Sequence, residues 1–190
     1  VLAFRRDLHM HPELSEQEIR TEEKICSRLD ALQIPYQRGV AGHGVCAVIR
    51  GTTADRTVGI RADIDALPVA EQTELAYASL NLGVMHACGH DMHTAILLGT
   101  AAILKQNADT LPGTVKLFFQ PSEETIGGAK QMIDAGCLED PHVENVIALH
   151  VDPMTDLGKL KFTKGYMNAA TTEMELTVRG KACNGAHPDT

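Results

Sequence analysis

The chain has 190 residues, a net charge of −8 and 17 scattered basic residues, which argues against a role resting on neutralised nucleic-acid phosphates. Apolar residues make up 44% of it, with 4% aromatics and no tryptophan, so aliphatic side chains must fill the core. No apolar run reaches membrane-spanning length and no signal peptide opens the chain, although a start at Val1 rather than Met leaves room for a missing N-terminus.

In chain order, His9 and His11 flank a helix-to-turn boundary and are expected to be structural or to rim a pocket. A helix is expected from Glu16 to Leu32, with Ser15 and Glu18 as a capping box, Ile19, Ile25, Leu29 and Leu32 at helical spacing, and Pro35 beyond its end. Val45–Ile49 reads as a strand closed by Gly51, and Thr57–Asp63 as a second. A helix over Asp91–Asn107 precedes a third strand, Thr114–Gln120, opened by Pro112-Gly113. A helix over Thr125–Ala135, stopped by Gly136, precedes a fourth strand, Asn145–His150. Strands alternating with helices predict an α/β layered domain, and short apolar strands predict a sheet covered on both faces. Near the end, Met174, Leu176 and Val178 alternate with polar residues over Thr172–Arg179, the pattern of a half-exposed antiparallel strand. A second domain is therefore expected to begin near Ala170, dividing the chain into 1–169 and a truncated 170–190.

The five cysteines, Cys26, Cys46, Cys88, Cys137 and Cys183, are odd in number and widely spaced. A disulfide framework is not expected, a reducing, cytoplasmic compartment fits better, and four of them read as small buried hydrophobes. Cys88 is the exception, because in Met85-His86-Ala87-Cys88-Gly89-His90-Asp91-Met92-His93 the eight positions from His86 to His93 hold four His or Cys side chains. Cys88 and His90 are too close in sequence to share a helical face, so they suit a loop wrapping a metal.

Further polar residues end the strands: Asp63 and Asp65 after the second, Glu123-Glu124 after the third, His150 and Asp152 after the fourth. Open α/β sheets place their sites at carboxyl strand ends. If the strands are parallel neighbours, Asp63, Glu123, Glu124 and His150 converge, with the Cys88/His90 loop as a fifth contributor. Thiolate, imidazole and carboxylate together favour Zn²⁺, Mn²⁺, Co²⁺ or Ni²⁺ over Mg²⁺ or Ca²⁺. Adjacent glutamates can divide the work, one binding metal and one taking a proton from activated water. Bland readings stand beside these: a solvated helix start for Glu123-Glu124, a hydrogen-bonded core histidine for His150, solvated loops for His43 and His142, and a supporting role for His93.

The motifs Asp7-Leu8-His9-Met10-His11-Pro12-Glu13-Leu14-Ser15, Arg61-Ala62-Asp63-Ile64-Asp65-Ala66-Leu67-Pro68, His86 to His93, Phe119-Gln120-Pro121-Ser122-Glu123-Glu124 and Ala148-Leu149-His150-Val151-Asp152-Pro153 occur in this order. In them the chain resembles the peptidase M20 family of metal-dependent amidohydrolases. It looks closest to the branch of hippurate hydrolases, indole-3-acetyl-amino-acid hydrolases and N-acyl-amino-acid deacylases. The resemblance implies a three-layer α/β/α, zinc-peptidase-like catalytic domain with a mostly parallel sheet, followed by the start of an α+β lid and dimerisation domain. It implies a two-ion site with Cys88, His90, Glu124 and His150 as ligands and Glu123 as general base. Asp63 would orient a ligand, Arg61 stands where other members carry a metal-binding His, and Cys88 compensates as a thiolate ligand. Family members are about twice as long, and their catalytic domain resumes after the lid to supply a final His ligand, which here would lie beyond Thr190. The lid motif usually reads Gly-Lys-x-x-His; Asn184 stands at that His, with His187 nearby as a substitute.

The reading that follows is hydrolysis of the amide bond of N-acyl amino acids or similar small amides by metal-activated water, in a homodimer joined through the lid, with no nucleic-acid or membrane partner. One alternative is a non-catalytic fragment or degenerate homologue that at most binds metal. Another is a cysteine hydrolase using Cys88 with a neighbouring His.

Overall fold

The structure is a computed structural model and describes residues 1–125, 127–167 and 174–187. The chain divides into two compact units, Val1–Val151 and Asp152–Thr190. Every described helix and strand lies in the first: α1 (Leu2–Met10), α2 (Ile19–Ala31), β1 (Tyr36–Val40), β2 (Gly44–Arg50), β3 (Thr57–Asp63), α3 (His90–Gln106), β4 (Thr114–Gln120), α4 (Gly128–Asp134) and β5 (Asn145–Ala148), with a 3₁₀ turn at Ala108–Thr110.

The strands form one sheet in the order β1-β2-β4-β3-β5. β3 pairs parallel with both β4 and β5, whereas β2 runs antiparallel to both of its neighbours. Four strands therefore point one way and β2 alone is reversed, so the sheet is mostly parallel, as expected. One face packs Val45, Ala47, Leu117 and Phe119 against Ile25 and Leu29 of α2 and Leu97, Leu98 and Ala101 of α3. The other packs Cys46 and Phe118 against Met132 of α4 with Cys137 and Val143. Helices on both faces make the three-layer α/β/α arrangement, and β4 at its centre is buried at all seven positions.

Several expectations change in detail. The capping box of Ser15 and Glu18 does not form: α2 begins at Ile19 with no side-chain cap from its N-cap residue. Ser15 Oγ instead donates to Asp65 Oδ2 at 2.7 Å, and Glu18 Oε1 accepts the Ser122 N–H at 2.8 Å. The Glu13 carboxylate takes over, accepting the N–H groups of Arg20 and Thr21 at 3.0 and 2.8 Å. Buried donors elsewhere must be paired, and they outcompete the local motif.

α4 begins at Gly128 rather than Thr125, because the Gly128 N–H closes a loop onto Ser122 O at 3.0 Å. A Cβ at Gly128 would lie 1.9 Å from Pro121 O, so only glycine fits there. Ile126 falls outside the described residues. β5 ends at Ala148, short of His150, and is exposed at all four positions, so this sheet-edge strand is not covered as expected. His43 is part-buried rather than fully solvated: its Nδ1 lies 3.1 Å from Glu22 Oε2. In the second unit, 174–179 is not a strand, and Met174, Leu176 and Val178 are exposed. An alternating segment needs a hydrogen-bonded neighbour to become a strand, and none pairs with it among the described residues. Thr172, Glu173 and the expected boundary at Ala170 lie outside the described residues. Among those described, no helix is long and apolar enough to cross a membrane.

Candidate metal centre

The register of the parallel strands sets the site. Asp63 at the end of β3 lies opposite Gln120 at the end of β4, and Arg61 lies opposite Ala148 at the end of β5. The residues just past β4 and β5, Glu123, Glu124 and His150, thus emerge at one carboxyl edge. The Cys88 loop reaches the same edge through Gly89, which caps α3 with φ +89. A Cβ at that position would meet Val151 Cγ2 at 2.6 Å, so glycine is required twice over, for conformation and for space.

Three donor sets result among the described residues: Cys88, His90 and His150; His90, Glu123 and Glu124; and Asp63, His90 and His93. Within each set the ligand atoms lie within 4.8 Å of one another. His90 belongs to all three. Cys88 Sγ is 3.2 Å from His150 Nε2, while His150 Nδ1–H donates to Val151 O at 2.7 Å. That bond leaves the Nε2 lone pair facing the sulfur, as a ligand histidine requires. His90 Nδ1–H donates to Asp65 Oδ1 at 3.2 Å, so its Nε2 also carries a lone pair. Nε2 lies 3.6 Å from Asp63 Oδ2 and 3.7 Å from Glu124 Oε1, too far for hydrogen bonds. Both His90 Nε2 and Glu124 Oε1 are buried without a hydrogen-bond partner.

In the third set, Asp63 and His93 are already engaged elsewhere. Asp63 Oδ1 accepts His93 Nδ1–H at 2.6 Å, and Asp63 Oδ2 accepts from Arg61 Nη1 at 2.8 Å. His93 Nε2 accepts the Val151 N–H at 3.0 Å. Arg61 also donates to Gln120 Oε1 at 2.8 Å. Asp63, His93 and Arg61 therefore brace the strand ends and hold Val151 next to His150, leaving Cys88, His90, Glu124, His150 and Glu123 as the open donors.

Electrostatics mark those donors as a surplus of negative charge. Burial, and then the Glu124 carboxylate, push the Cys88 thiol up to about 12. Burial raises Glu124, and Glu123 adds to it. Although burial opposes it, His90 is raised by its hydrogen bond to Asp65 and by the Asp63 carboxylate. Every one of these shifts favours keeping a proton, which is what thiol, carboxyl and imidazole do when clustered without a cation. A divalent ion among them relieves all three, so the donor set fits a metal.

Sequence reasoning picked out Asp63, Asp65, His9 and His93 but missed the supporting roles of Glu18 and Asp91. Asp65 is nearly fully buried and holds three groups at once: His90 Nδ1, Ser15 Oγ and, at 3.0 Å, the backbone N–H of Glu124. Glu18, fully buried, and the backbone N–H of Glu16 pin Ser122, whose left-handed φ of 52 turns the chain into Glu123. Behind the cluster, Asp91 Oδ2 accepts from His9 Nδ1 at 2.8 Å and forms an ion pair with Arg5, whose Nε lies 2.7 Å away, tying α3 to α1. Burial pushes His86 down to about 4, so its ring stays neutral. The acidic run at Asp63 and Asp65 was the available signal for the Asp65 support. Asn184 and His187 lie in the second unit, where Asn184 accepts the Ala186 N–H at its Oδ1 and the His187 N–H at its backbone oxygen.

Comparison with known proteins gives a consistent picture. The family model for peptidase family M20/M25/M40 matches residues 59–187. The chain is 40% identical over 194 residues to N-acetylcysteine deacetylase of Bacillus subtilis (strain 168), covering 100% of this chain and 50% of that protein. It is 41% identical over 189 residues to N-acyl-L-amino acid amidohydrolase of Geobacillus stearothermophilus, covering 99% of this chain and 50% of that one. Among solved structures, the YXEP protein of Bacillus subtilis, described as a dinuclear metal binding peptidase from the M20 family, superposes with a TM-score of 0.77 at 46% identity. That match covers 80% of this chain and 43% of the other. The chain spans about half the length of the curated relatives it matches.

Proposed function

The chain belongs to peptidase family M20/M25/M40, and on that footing we propose that it carries most of the metal site of an amidohydrolase acting on N-acyl amino acids or similar small amides. The observation that carries this reading is the pair of buried, unpartnered lone-pair atoms, His90 Nε2 and Glu124 Oε1, facing each other at 3.7 Å beside the Cys88–His150 contact. Cys88, His90, Glu124 and His150 would hold two divalent ions of the Zn²⁺, Mn²⁺, Co²⁺ or Ni²⁺ type. Such an ion polarises an amide carbonyl and makes water nucleophilic near neutral pH.

The chain's own groups do the rest. Asp65 fixes the tautomer of His90, and Val151 O fixes that of His150. Glu123, exposed beside the donors, accepts a proton from the attacking water at its carboxylate. It returns that proton to the departing amine, so one water and one amide yield a carboxylic acid and an amine. Asn184, at the position where the resemblance expects the lid His, is read as an oxyanion donor across the dimer through its side-chain amide N–H. The whole protein is read as a homodimer joined through that lid, working in a reducing, cytoplasmic setting without nucleic-acid or membrane partners, and with 170–190 as the beginning of the lid domain.

Metal analysis and a panel of N-acyl amino acids test this on the full-length protein. Glu123→Ala should keep the metal and lose most activity; unchanged activity would overturn the base. A second reading, a homologue that binds metal without catalysis, is favoured by Asn184 at the position where the resemblance expects His. It requires that no substrate in the panel turns over with the metal bound. The cysteine-hydrolase reading loses ground, because burial, and then the Glu124 carboxylate, push the Cys88 thiol up to about 12 and disfavour the thiolate it needs.

A further inference from the structure

Away from the metal centre, on the sheet face covered by α4, two cysteines meet. Cys46 on β2 and Cys137, just beyond α4, are both buried, and their sulfurs lie 2.7 Å apart although 91 residues separate them in sequence. They share one apolar cluster with Phe118, Met132, Val40 and Val143. On the neighbouring strand β4, Lys116 is buried on this same face, two residues from Phe118, which pairs with Cys46. Its ammonium is held by Glu139 O at 2.6 Å, in the turn that follows Cys137. Nothing in the hydrolytic site uses any of these groups.

We propose that Cys46 and Cys137 are a redox-active dithiol, oxidised by hydrogen peroxide to a disulfide that ties the segment after α4 to the sheet. The chemistry balances with peroxide alone. The Cys137 thiolate attacks one peroxide oxygen, the O–O bond breaks, hydroxide leaves and takes up the thiol's proton as water, and Cys137 becomes a sulfenic acid. Cys46 sulfur then attacks that sulfur, the S–O bond breaks, and a second water departs with the Cys46 proton. Two thiols and one peroxide give one disulfide and two waters.

The neighbours suit this assignment of roles. The hydrogen bond donated by Cys46 lowers the pKa of Cys137, and the positive field of Lys116 lowers it further, while Cys46 itself is raised by the same contact. The Lys116 ammonium, held at Glu139 O in the turn after Cys137, favours Cys137 as the attacking sulfur and leaves Cys46 as the resolving one. The cross-link would close a long loop and restrain the chain leading from Glu124 through α4.

The test uses the full-length protein exposed to hydrogen peroxide, then to N-ethylmaleimide in denaturant, and digested without reductant. Mass spectrometry should find one linked peptide pair containing Cys46 and Cys137, two hydrogens lighter than the free pair and split by dithiothreitol. Reduction should lower the melting temperature of oxidised wild type. It should leave that of peroxide-treated Cys137→Ser or Cys46→Ala unchanged, and either variant suffices if the other fails to fold. Recovery of both cysteines as maleimide adducts after peroxide, or a link from either to Cys183, would overturn the proposal. Because the readout is a mapped peptide, it is independent of whether the metal centre hydrolyses amides.

Discussion

The carboxylate of Asp65 accepts the Nδ1–H of His90 at 3.2 Å, and so turns the bare Nε2 toward the open donors. The same carboxylate holds the backbone of Glu124. One side chain thereby sets both the tautomer of one proposed ligand and the position of another. Removing such a support costs metal affinity about 10–100-fold. Asp65→Asn should weaken Zn²⁺ or Mn²⁺ binding by that factor in a chelator competition, with a cooperative urea transition retained. Wild-type affinity in the variant would remove Asp65 from the site.

Glu18 acts on the opposite wall. It is fully buried and accepts the Ser122 N–H at 2.8 Å, one residue before Glu123. Glu18→Ala leaves that amide without a partner, at a cost of about 1–3 kcal/mol in urea unfolding. Turnover should fall with it, and Glu18→Gln, which keeps an acceptor, should restore much of both. If alanine and glutamine behave alike, the hydrogen bond is not what positions the loop.

Glu22 reports on pH. Burial works against its charge, but hydrogen bonds from His43 and Arg38, with the Gly39 N–H, outweigh burial and hold its carboxyl below the ordinary value. A lowered folded pKa stabilises the protein fully above the ordinary Glu value and loses that contribution as pH falls through the folded one. The stability difference between wild type and Glu22→Gln should therefore be largest near neutrality and shrink below pH ~4. A difference that does not change with pH would show that the clamp between α2 and the β1–β2 hairpin is not ionic.

Asn184 carries a prediction for the proposed lid. An oxyanion donor is typically worth ~10²–10³ in rate. Asn184→Ala in the full-length protein should lower kcat by about that factor if the position donates to the oxyanion, with KM little changed. No change in kcat would place the residue outside the reaction.

Much of this was legible in the sequence, for identifiable reasons. β3 and β4 have the bounds expected of them because apolar runs between turn signals suffice to define central strands. α1 and β1 carry little such signal: α1 buries only Leu8 and His9, and β1 buries only Val40. The open donors stand at strand ends, where reading along the chain can find them. Their supports do not announce themselves, because Asp65 to His90 and Glu18 to Ser122 span 25 and 104 residues. The same long-range demand explains why Ser15 and Glu18 look like a capping box and serve the site's walls instead.

The most direct measurement is the metal content of the full-length protein, purified, stripped and reloaded with Zn²⁺ or Mn²⁺, for wild type and for Cys88→Ser, His90→Ala and Glu124→Gln. Wild type should retain roughly two equivalents per chain, and each variant should lose metal while keeping its helical circular dichroism. A wild type that stays metal-free after reloading, or variants that hold as much metal as wild type, would contradict the assignment of Cys88, His90, Glu124 and His150 as its ligands.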